Sequence, residues 1–481
     1  MSTTSLATPP VESVATPDAP QRTRPNRDTR PLWVAILATS LPMFMATLDN
    51  LVMTSALPVV RADLGSSVGQ LSWFLNAYTL AFATFMLPAA TLGDRLGRRR
   101  MMLAGVVLFT AASIGSALST TSGALITARA FQGLGAAAIM PLSLTLLAAA
   151  VPTRLRPMAI GIWGGVSGLG VALGPVVGGA VVEGVSWQAI FWLNVPVAIV
   201  AVPLMLVAVR ESRGTWQRLD LRGTVLLGGA VFLGIWGIVH GNDDGWTSPV
   251  VLGSLVASAL LVPAYVVHAR HRSFAVLPLR LFRSRGFSAA NAIGLFFTLG
   301  MFGAVFLLAQ YLQIVQGYSP LEAGIRTLPW TAAPMIVAPL AGLLAPRTGL
   351  RALLLVGLVL QACSLVWLAS LAEDLAPYSA FVPALAMAGI GMGLTFAPSA
   401  TAVLDGLPDS DFAVASSANS TIREFGVALG VALLTAVFLG NGGQLVPTGY
   451  AGAIGPALLT GAAAVGVAVV AALFAPGRVR S

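Results

Sequence analysis

Fourteen windows of about 20 apolar residues, joined by short polar connections, leave this chain few ways to fold. They fall at 33–54, 69–92, 101–119, 124–150, 158–181, 189–209, 223–240, 250–268, 287–313, 323–345, 351–371, 378–403, 413–439 and 451–475. Each is long enough to cross a bilayer as a helix. In hydrocarbon every backbone N–H and C=O must be satisfied within the segment, so open sheets are excluded. With 56% hydrophobic and 9% charged residues in 481, the expected fold class is all-α and integral to the membrane, with fourteen transmembrane helices.

The charge pattern sets the expected orientation. Net charge is +9 with no lysine, and of the 27 arginines all but Arg61, Arg129, Arg326 and Arg423 fall in the N-terminal tail, at the C-terminus or in loops on one side of the fourteen-span count. Cytoplasmic loops collect basic residues. That places both termini in the cytoplasm and the chain in the cytoplasmic membrane, with a disordered cytoplasmic tail at 1–32 and a short one at 476–481. The basicity is then topological, so the expected partners are lipid and small molecules, with no nucleic acid.

Missing residues exclude chemistry. Without lysine there is no Walker A lysine and no Schiff base, hence no ATP-driven or retinal pump within this chain. The single cysteine, Cys363, sits in an apolar run and is expected to pack. His240, His268 and His271 lie at or beyond span ends without ligand spacing, so they are expected to be interfacial or solvated. No metal and no cofactor are expected. Nor does a nucleophile, base and third group occur at a spacing that suits an enzyme.

An internal repeat divides the chain. ATLGDRLGRR at 90–99 aligns without gaps on GLLAPRTGLR at 342–351, matching Leu92, Arg95, Gly97 and Arg99 with Leu344, Arg347, Gly349 and Arg351. Both copies follow the second span of a six-span block. The expected organisation is an N-terminal six-helix bundle at 33–209, two inserted spans with cytoplasmic flanks at 210–285, and a C-terminal six-helix bundle at 286–475. Parallel halves around a central site form a transporter architecture.

Within the spans, ionisable and helix-distorting residues stand out. Asp49 lies deep in span 1, where a charge costs roughly 2.5 to 3.5 kcal/mol, so it needs a function or a partner. Burial disfavours a bare carboxylate, which suits Asp49 to taking and releasing a proton; a purely structural pairing is the plainer alternative. Arg129 in span 4 keeps its charge and must find acceptors or a carboxylate. Arg423 and Glu424 are adjacent in span 13, about 100° apart on a helix, so they need not pair. Glu424 is a second candidate for proton coupling or cation contact, with a gate or interhelical bridge as the alternative. In span 5, Gly170, Gly174 and Gly178 recur every four residues, beside Gly179, and open one face to close approach. Pro175 should kink that helix. Asp94 precedes the arginine cluster of the first loop, where capping of the next helix is the plain reading. Asn76 and Tyr78 with Trp73 in span 2, Gln132 in span 4, and Gln310 and Gln313 in span 9 offer contacts to a bulky ligand, or plain packing.

Several strings resemble the major facilitator superfamily, and specifically its fourteen-span drug/proton antiporter branch. They are LDNLVMTSALP at 48–58, LGDRLGRRR at 92–100, LITARAFQGLGAAA at 125–138, GVALGPVVGG at 170–179, WQAIFWLNVPVA at 187–198, QYLQIVQGYSPLEAGIRTLP at 310–329 and STIREFGVALGVAL at 420–433. Two departures stand out: Ala90 replaces the usual leading glycine of the loop motif, and Glu424 stands where glutamine is more usual. The resemblance implies a major facilitator fold of two six-helix bundles plus two inserted helices. It implies proton-coupled efflux of a hydrophobic or amphipathic drug or antibiotic by a monomer, conferring resistance, with overall similarity pointing to a lincosamide such as lincomycin. Asp49, Arg129 and Glu424 would couple protons. Asp94, Arg95, Gly97, Arg98 and Arg99 would form a conformational gate, Asp94 docking on the N-terminal end of span 13. Gly170, Gly174, Pro175, Gly178 and Gly179 would form the antiporter motif. A proton-coupled uptake symporter, or a transporter-like sensor without flux, would share the fold and remains open.

Overall fold

A computed structural model describes residues 32–152, 156–213, 220–272, 275–373, 375–407 and 412–477. Of the tails expected at 1–32 and 476–481, residues 1–31 and 478–481 lie outside them, as do Arg154 and Arg218. The helices are α1 (Leu32–Leu64), α2 (Val68–Leu96), α3 (Arg98–Ala117), α4 (Ser122–Ala150), α5 (Arg156–Gly184), α6 (Ala189–Trp192), α7 (Asn194–Ala208), α8 (Leu221–Asp244), α9 (Pro249–Arg270), α10 (Arg285–Ile314), α11 (Pro320–Thr331), α12 (Ala333–Thr348), α13 (Leu350–Glu373), α14 (Tyr378–Leu404), α15 (Phe412–Gly440) and α16 (Pro447–Ala472). Among the described residues, thirteen spans are long and apolar enough to cross a membrane. The 29-residue α5 supplies the fourteenth. Two spans are composite: α6 and α7 run together through Leu193, while α11 and α12 are interrupted at Ala332, two residues before Pro334 removes a backbone donor.

Glycine sets how closely the helices approach. Between α3 and α4, a Cβ on Gly105 would stand 2.9 Å from the Gly135 carbonyl oxygen, and one on Gly135 would stand 2.8 Å from that of Gly105. Gly357 and Gly391 repeat this reciprocal contact between α13 and α14, at 2.9 and 2.6 Å. Gly174 and Gly178 bring α5 onto α1, where an added Cβ would lie 2.5 Å from Leu51 Cβ and 2.7 Å from the Val52 carbonyl oxygen. In the second half, Gly426 and Gly430 bring α15 onto the α10 backbone at Leu295 and Leu299. The pentapeptide GVALG occupies 170–174 and again 426–430, on the fifth helix of each half.

The repeated loop plays one role twice. Gly97 is the single residue between α2 and α3, with φ 117°, and Gly349 sits between α12 and α13 with φ 84°, a region L side chains avoid. Arg99 Nη1 donates to the Val209 carbonyl at 3.1 Å, just past α7; Arg351 Nε donates to the Ala475 carbonyl at 2.9 Å, just past α16. Each arginine therefore ties the first loop of its half to the end of that half's last helix.

The halves meet along two seams. At the end away from the arginine-rich loops, Gly179 of α5 abuts Pro320 and Leu321 of α11, and Gly324 abuts the Pro175 carbonyl. Ser55 donates to that carbonyl at 3.0 Å, Gln313 Nε2 donates to the Ser55 carbonyl at 3.2 Å, and the Leu321 N–H reaches Glu183 at 3.3 Å. This end is closed. At the other seam, α8 of the inserted pair covers the junction of α2 and α15 through Trp73, Leu80, Ile235, Val239, Phe425, Ala428 and Ala432. The inserted hairpin is tied at its arginine-rich end by Asp220, which accepts from the Gly223 N–H at 2.9 Å and meets His268 Nε2 at 2.7 Å. Burial works to raise the Asp220 pKa, but the Gly223 and His268 hydrogen bonds outweigh it and hold the carboxyl below its ordinary value.

Three sequence expectations change. Cys363 is exposed on the perimeter of the bundle rather than packed inside, because α13 turns that face outward. His268 is paired with Asp220 rather than solvated. His240 stacks on Trp236 at 3.8 Å and meets Trp73 edge-on at 5.2 Å.

The contact at Gly179 predicts a shift in conformation. Overpacking costs about 1 to 3 kcal/mol, so Gly179→Leu should open this end of the seam and weaken the closed state about tenfold or more. In a Cys363→Ser background, Ser55→Cys labelled by an impermeant maleimide from that end should react faster with Gly179→Leu present. An unchanged rate would mean that the seam does not hold the end closed.

Candidate functional site

Asp49 faces inward from the middle of α1 with 4% of its surface exposed, and Arg129 of α4 is fully buried against it. Arg129 Nη1 donates to Asp49 Oδ2. The other carboxylate oxygen accepts from Gln132 Nε2 at 3.1 Å and from Asn194 Nδ2 at 2.7 Å. Helix spacing explains part of this cluster: Arg129 and Gln132, three residues apart on α4, fall on one face and bond to each other at 3.0 Å. Asn194, first residue of α7, also donates to Ser113 Oγ of α3 at 2.8 Å, and Ser116 Oγ donates to Gln132 at 3.1 Å. Four helices thus converge on one carboxylate.

Arg129 is otherwise held by α2. Its Nε donates to the Phe74 carbonyl at 3.0 Å and its Cζ lies 4.6 Å from the centre of the Tyr78 ring. Tyr78 OH donates to the Ala46 carbonyl on α1 at 3.3 Å. Arg129 Nη2 has no partner among the described residues. A charge pair this dry is bound by its mutual dependence, since removing one partner strands the other at about 3 to 5 kcal/mol.

The structure distributes the remaining site residues widely. Gln132 and Tyr78, first grouped as cargo contacts, belong to the shell around Asp49 and Arg129. Asn76 is fully buried on α2, with neither side-chain polar atom partnered among the described residues. Gln310 is buried and bonds to its own helix at the Phe306 carbonyl, 3.2 Å away, whereas Gln313 reaches across to Ser55. Arg423 and Glu424 are half-buried on α15 and do not pair with each other; Arg423 Cζ lies 4.3 Å from the centre of the Phe396 ring. Glu424 is close enough to Tyr78 to act on it electrostatically, as are Asp49 and Arg129. Tyr78 therefore links the field of the buried pair to that of the second-half carboxylate.

At the first loop, Asp94 accepts from Arg98 Nε at 2.6 Å, one turn away. It does not cap α3: Glu211, beyond α7, accepts from the Arg99 and Arg100 N–H groups at 3.0 and 3.2 Å. A carboxylate there satisfies open helix donors and favours the N-terminal dipole. The Arg98 N–H goes to the Ser212 carbonyl at 2.9 Å, and Arg95 lies in the last turn of α2. Residues 408–411, just before α15, lie outside the described residues, so the docking expected of Asp94 on that helix falls partly there.

Sequence reasoning gave Asn194, Ser113, Ser116 and Glu211 no role. One signal was present: Asn194 is a single amide at the head of an apolar run.

Comparison with known proteins agrees with this architecture. Residues 39–431 match the family described as the Major Facilitator Superfamily. The chain is 33% identical over 457 residues to the tetracenomycin C resistance and export protein of Streptomyces glaucescens, covering 93% of this chain and 84% of that relative. It is 34% identical over 406 residues to the multidrug resistance protein Stp of Mycobacterium tuberculosis, covering 84% and 75%. It is 33% identical over 436 residues to the cephamycin export protein CmcT of Amycolatopsis lactamdurans, covering 88% of each. The fold is similar to that of the xylose transporter XylE from E. coli in a partially occluded inward open conformation, with TM-score 0.61, 13% identity, and coverage of 92% of this chain and 98% of that one. By a family match across most of its length and by relatives that share a third of its residues, the chain belongs to the Major Facilitator Superfamily, as a multi-pass membrane transporter and not an enzyme.

Proposed function

We propose that this transporter exports a hydrophobic or amphipathic drug or antibiotic across the cytoplasmic membrane in exchange for protons, as a monomer with both termini cytoplasmic and without a cofactor, and so confers resistance. The observation that carries the reading is the ion pair between Asp49 and Arg129, buried in mid-span where a charge is otherwise costly. The names of the relatives, which include tetracenomycin C, cephamycin and multidrug resistance proteins, support export and leave the cargo as a class rather than a lincosamide alone.

The chemistry is conformational. Arg129 keeps its charge, so a proton on Asp49 leaves a bare cation in a dry site and drives the helices around it to rearrange. Asp49 shares α1 with Ser55, six residues and about 9 Å further along, where α1 meets α5 and α10 at the closed end. A proton from outside loads Asp49 as cargo leaves, and its release to the cytoplasm re-forms the pair in the inward-facing state that takes the next cargo. Glu424, half-buried near Tyr78, is the second acceptor on this route.

Everted vesicles with an imposed proton gradient test the reading, using an amphipathic dye and a small antibiotic panel. Wild type should accumulate cargo, and accumulation should collapse with an uncoupler and in Asp49→Asn. Accumulation that survives in Asp49→Asn moves the coupling role to Glu424; none with any compound defeats the export reading. A separate thermal-unfolding measurement addresses the pair. Arg129→Met alone should lose about 3 to 5 kcal/mol of stability, and adding Asp49→Leu should recover more than half of it without restoring transport. A double variant no more stable than the single one would show that the two charges are not coupled.

A further inference from the structure

Arg129 and Arg423 both lie in the interior of a long helix, and they are treated in opposite ways. Arg129 is sealed against a carboxylate. Arg423 is the twelfth residue of the 29-residue α15, about 16 Å from that helix's first residue. Its guanidinium has neither an ion pair nor a hydrogen bond among the described residues. It is only half-buried, and none of its nitrogens is a sealed, unpartnered atom, so the group faces open space.

The surroundings form a receptor. The stem of Arg423 lies on α10 at Gly294, where an added Cβ would stand 3.0 Å from Arg423 Cγ. Its Cζ sits 4.3 Å over the Phe396 ring of α14, and that ring is fixed edge-on by Phe297 at 5.3 Å. One turn earlier on α15, Asn419 Nδ2 donates to Asn291 Oδ1 at 3.1 Å, and the same amide lies beside the Arg423 stem, 3.4 Å from where a Cβ on Gly294 would stand. Glu424 is the next residue, about 100° around the helix, and it acts electrostatically on Arg423 without forming an ion pair.

Glu424 acts on Arg423 only at a distance and Phe396 offers a ring face, so the guanidinium N–H groups have no hydrogen-bond acceptor among the described residues. An anion beside them would supply one through a forked, charge-assisted pair. We infer that Arg423, Phe396 and Asn419 form a cargo subsite for amphipathic compounds that carry an acidic group, carboxylate or phenolate, on a flat apolar body. This rests on the export reading and narrows its cargo to acids. Arg423 recognises the anion, and the aromatic plate takes the ring beside it.

The test is binding, so that it stands apart from proton coupling. Purified protein in nanodiscs is titrated with a pyrene carrying a butyrate tail and with the same pyrene carrying a butylammonium tail, and saturable energy transfer from tryptophan is read. Wild type should prefer the acid by about tenfold. Arg423→Gln should abolish that preference by weakening the acid about tenfold without weakening the amine, while Arg423→Lys should keep part of it, since a point charge remains without the fork. The subsite is overturned if wild type binds neither probe or prefers the amine, if Arg423→Gln keeps the preference, or if it loses both probes together with thermal stability. Selective acid binding without gradient-driven accumulation in vesicles would uphold the subsite and count against export.

Discussion

In lipid nothing drives one apolar helix onto another as water would, so these bundles depend on how closely backbones can approach. The reciprocal contacts of Gly105 with Gly135 and of Gly357 with Gly391 fix the same pair of helices in each half. Gly174 with Gly178, and Gly426 with Gly430, do the same for the fifth helix against the first. Contacts of this kind are stiff, because an added carbon meets backbone or, at Gly174, the Cβ of Leu51. Each half is therefore built to move as a unit. What distinguishes α5 is that its glycine run continues past the internal contact to Gly179, which touches the other half. One helix thus belongs to a rigid bundle on one face and to a separable seam on the next.

Packing repeats between the halves, but charge does not. In the first half a carboxylate and an arginine are closed inside a shell of amides and hydroxyls from α1, α3, α4 and α7. In the second half Arg423 and Glu424, adjacent on α15, interact electrostatically without an ion pair and stay partly open. A sealed pair stabilises a geometry and responds to a change in protonation by moving; an open charge is available to a ligand. A duplicated scaffold with unlike charges can thus respond to a proton in one half and bind a solute in the other.

Much of this was legible because it follows from single helices. The spans came from apolar length, their common orientation from the arginines, and the duplication from the loop in which Gly97 and Gly349 share a positive φ. The pairing of Arg129 followed from its permanent charge. The rest depends on contacts between distant segments. Asn194 is one amide in an apolar run until α7 meets α1, and Glu211 is an ordinary loop carboxylate until the chain brings it back to cap α3. Asp94 was the nearer acid in sequence, yet Arg98, one turn away, takes it. Cys363 shows the limit of hydropathy: an apolar neighbourhood does not distinguish a helix face turned to other helices from one turned to lipid. The second GVALG at 426–430 was readable in principle, since it stands on α15 where the loop repeat would place the counterpart of α5.

The position of Tyr78 connects the two charge systems. Its ring lies against Arg129, its hydroxyl holds α1 at Ala46, and it lies within electrostatic range of both Asp49 and Glu424. On the proposed cycle, a proton reaching Asp49 frees Arg129 from its carboxylate, and the hydrogen bond that still ties the cation to another helix goes to the Phe74 carbonyl on α2, whose Tyr78 ring also lies against it. The load therefore passes to α2, the first-half helix that packs on α15 under the cover of α8. A change of charge deep in the first half is delivered to the seam beside Arg423 and Glu424 without any group having to cross it. That is the economy of placing the proton site one helix behind the interface: the interface can open and close while the site that drives it stays dry.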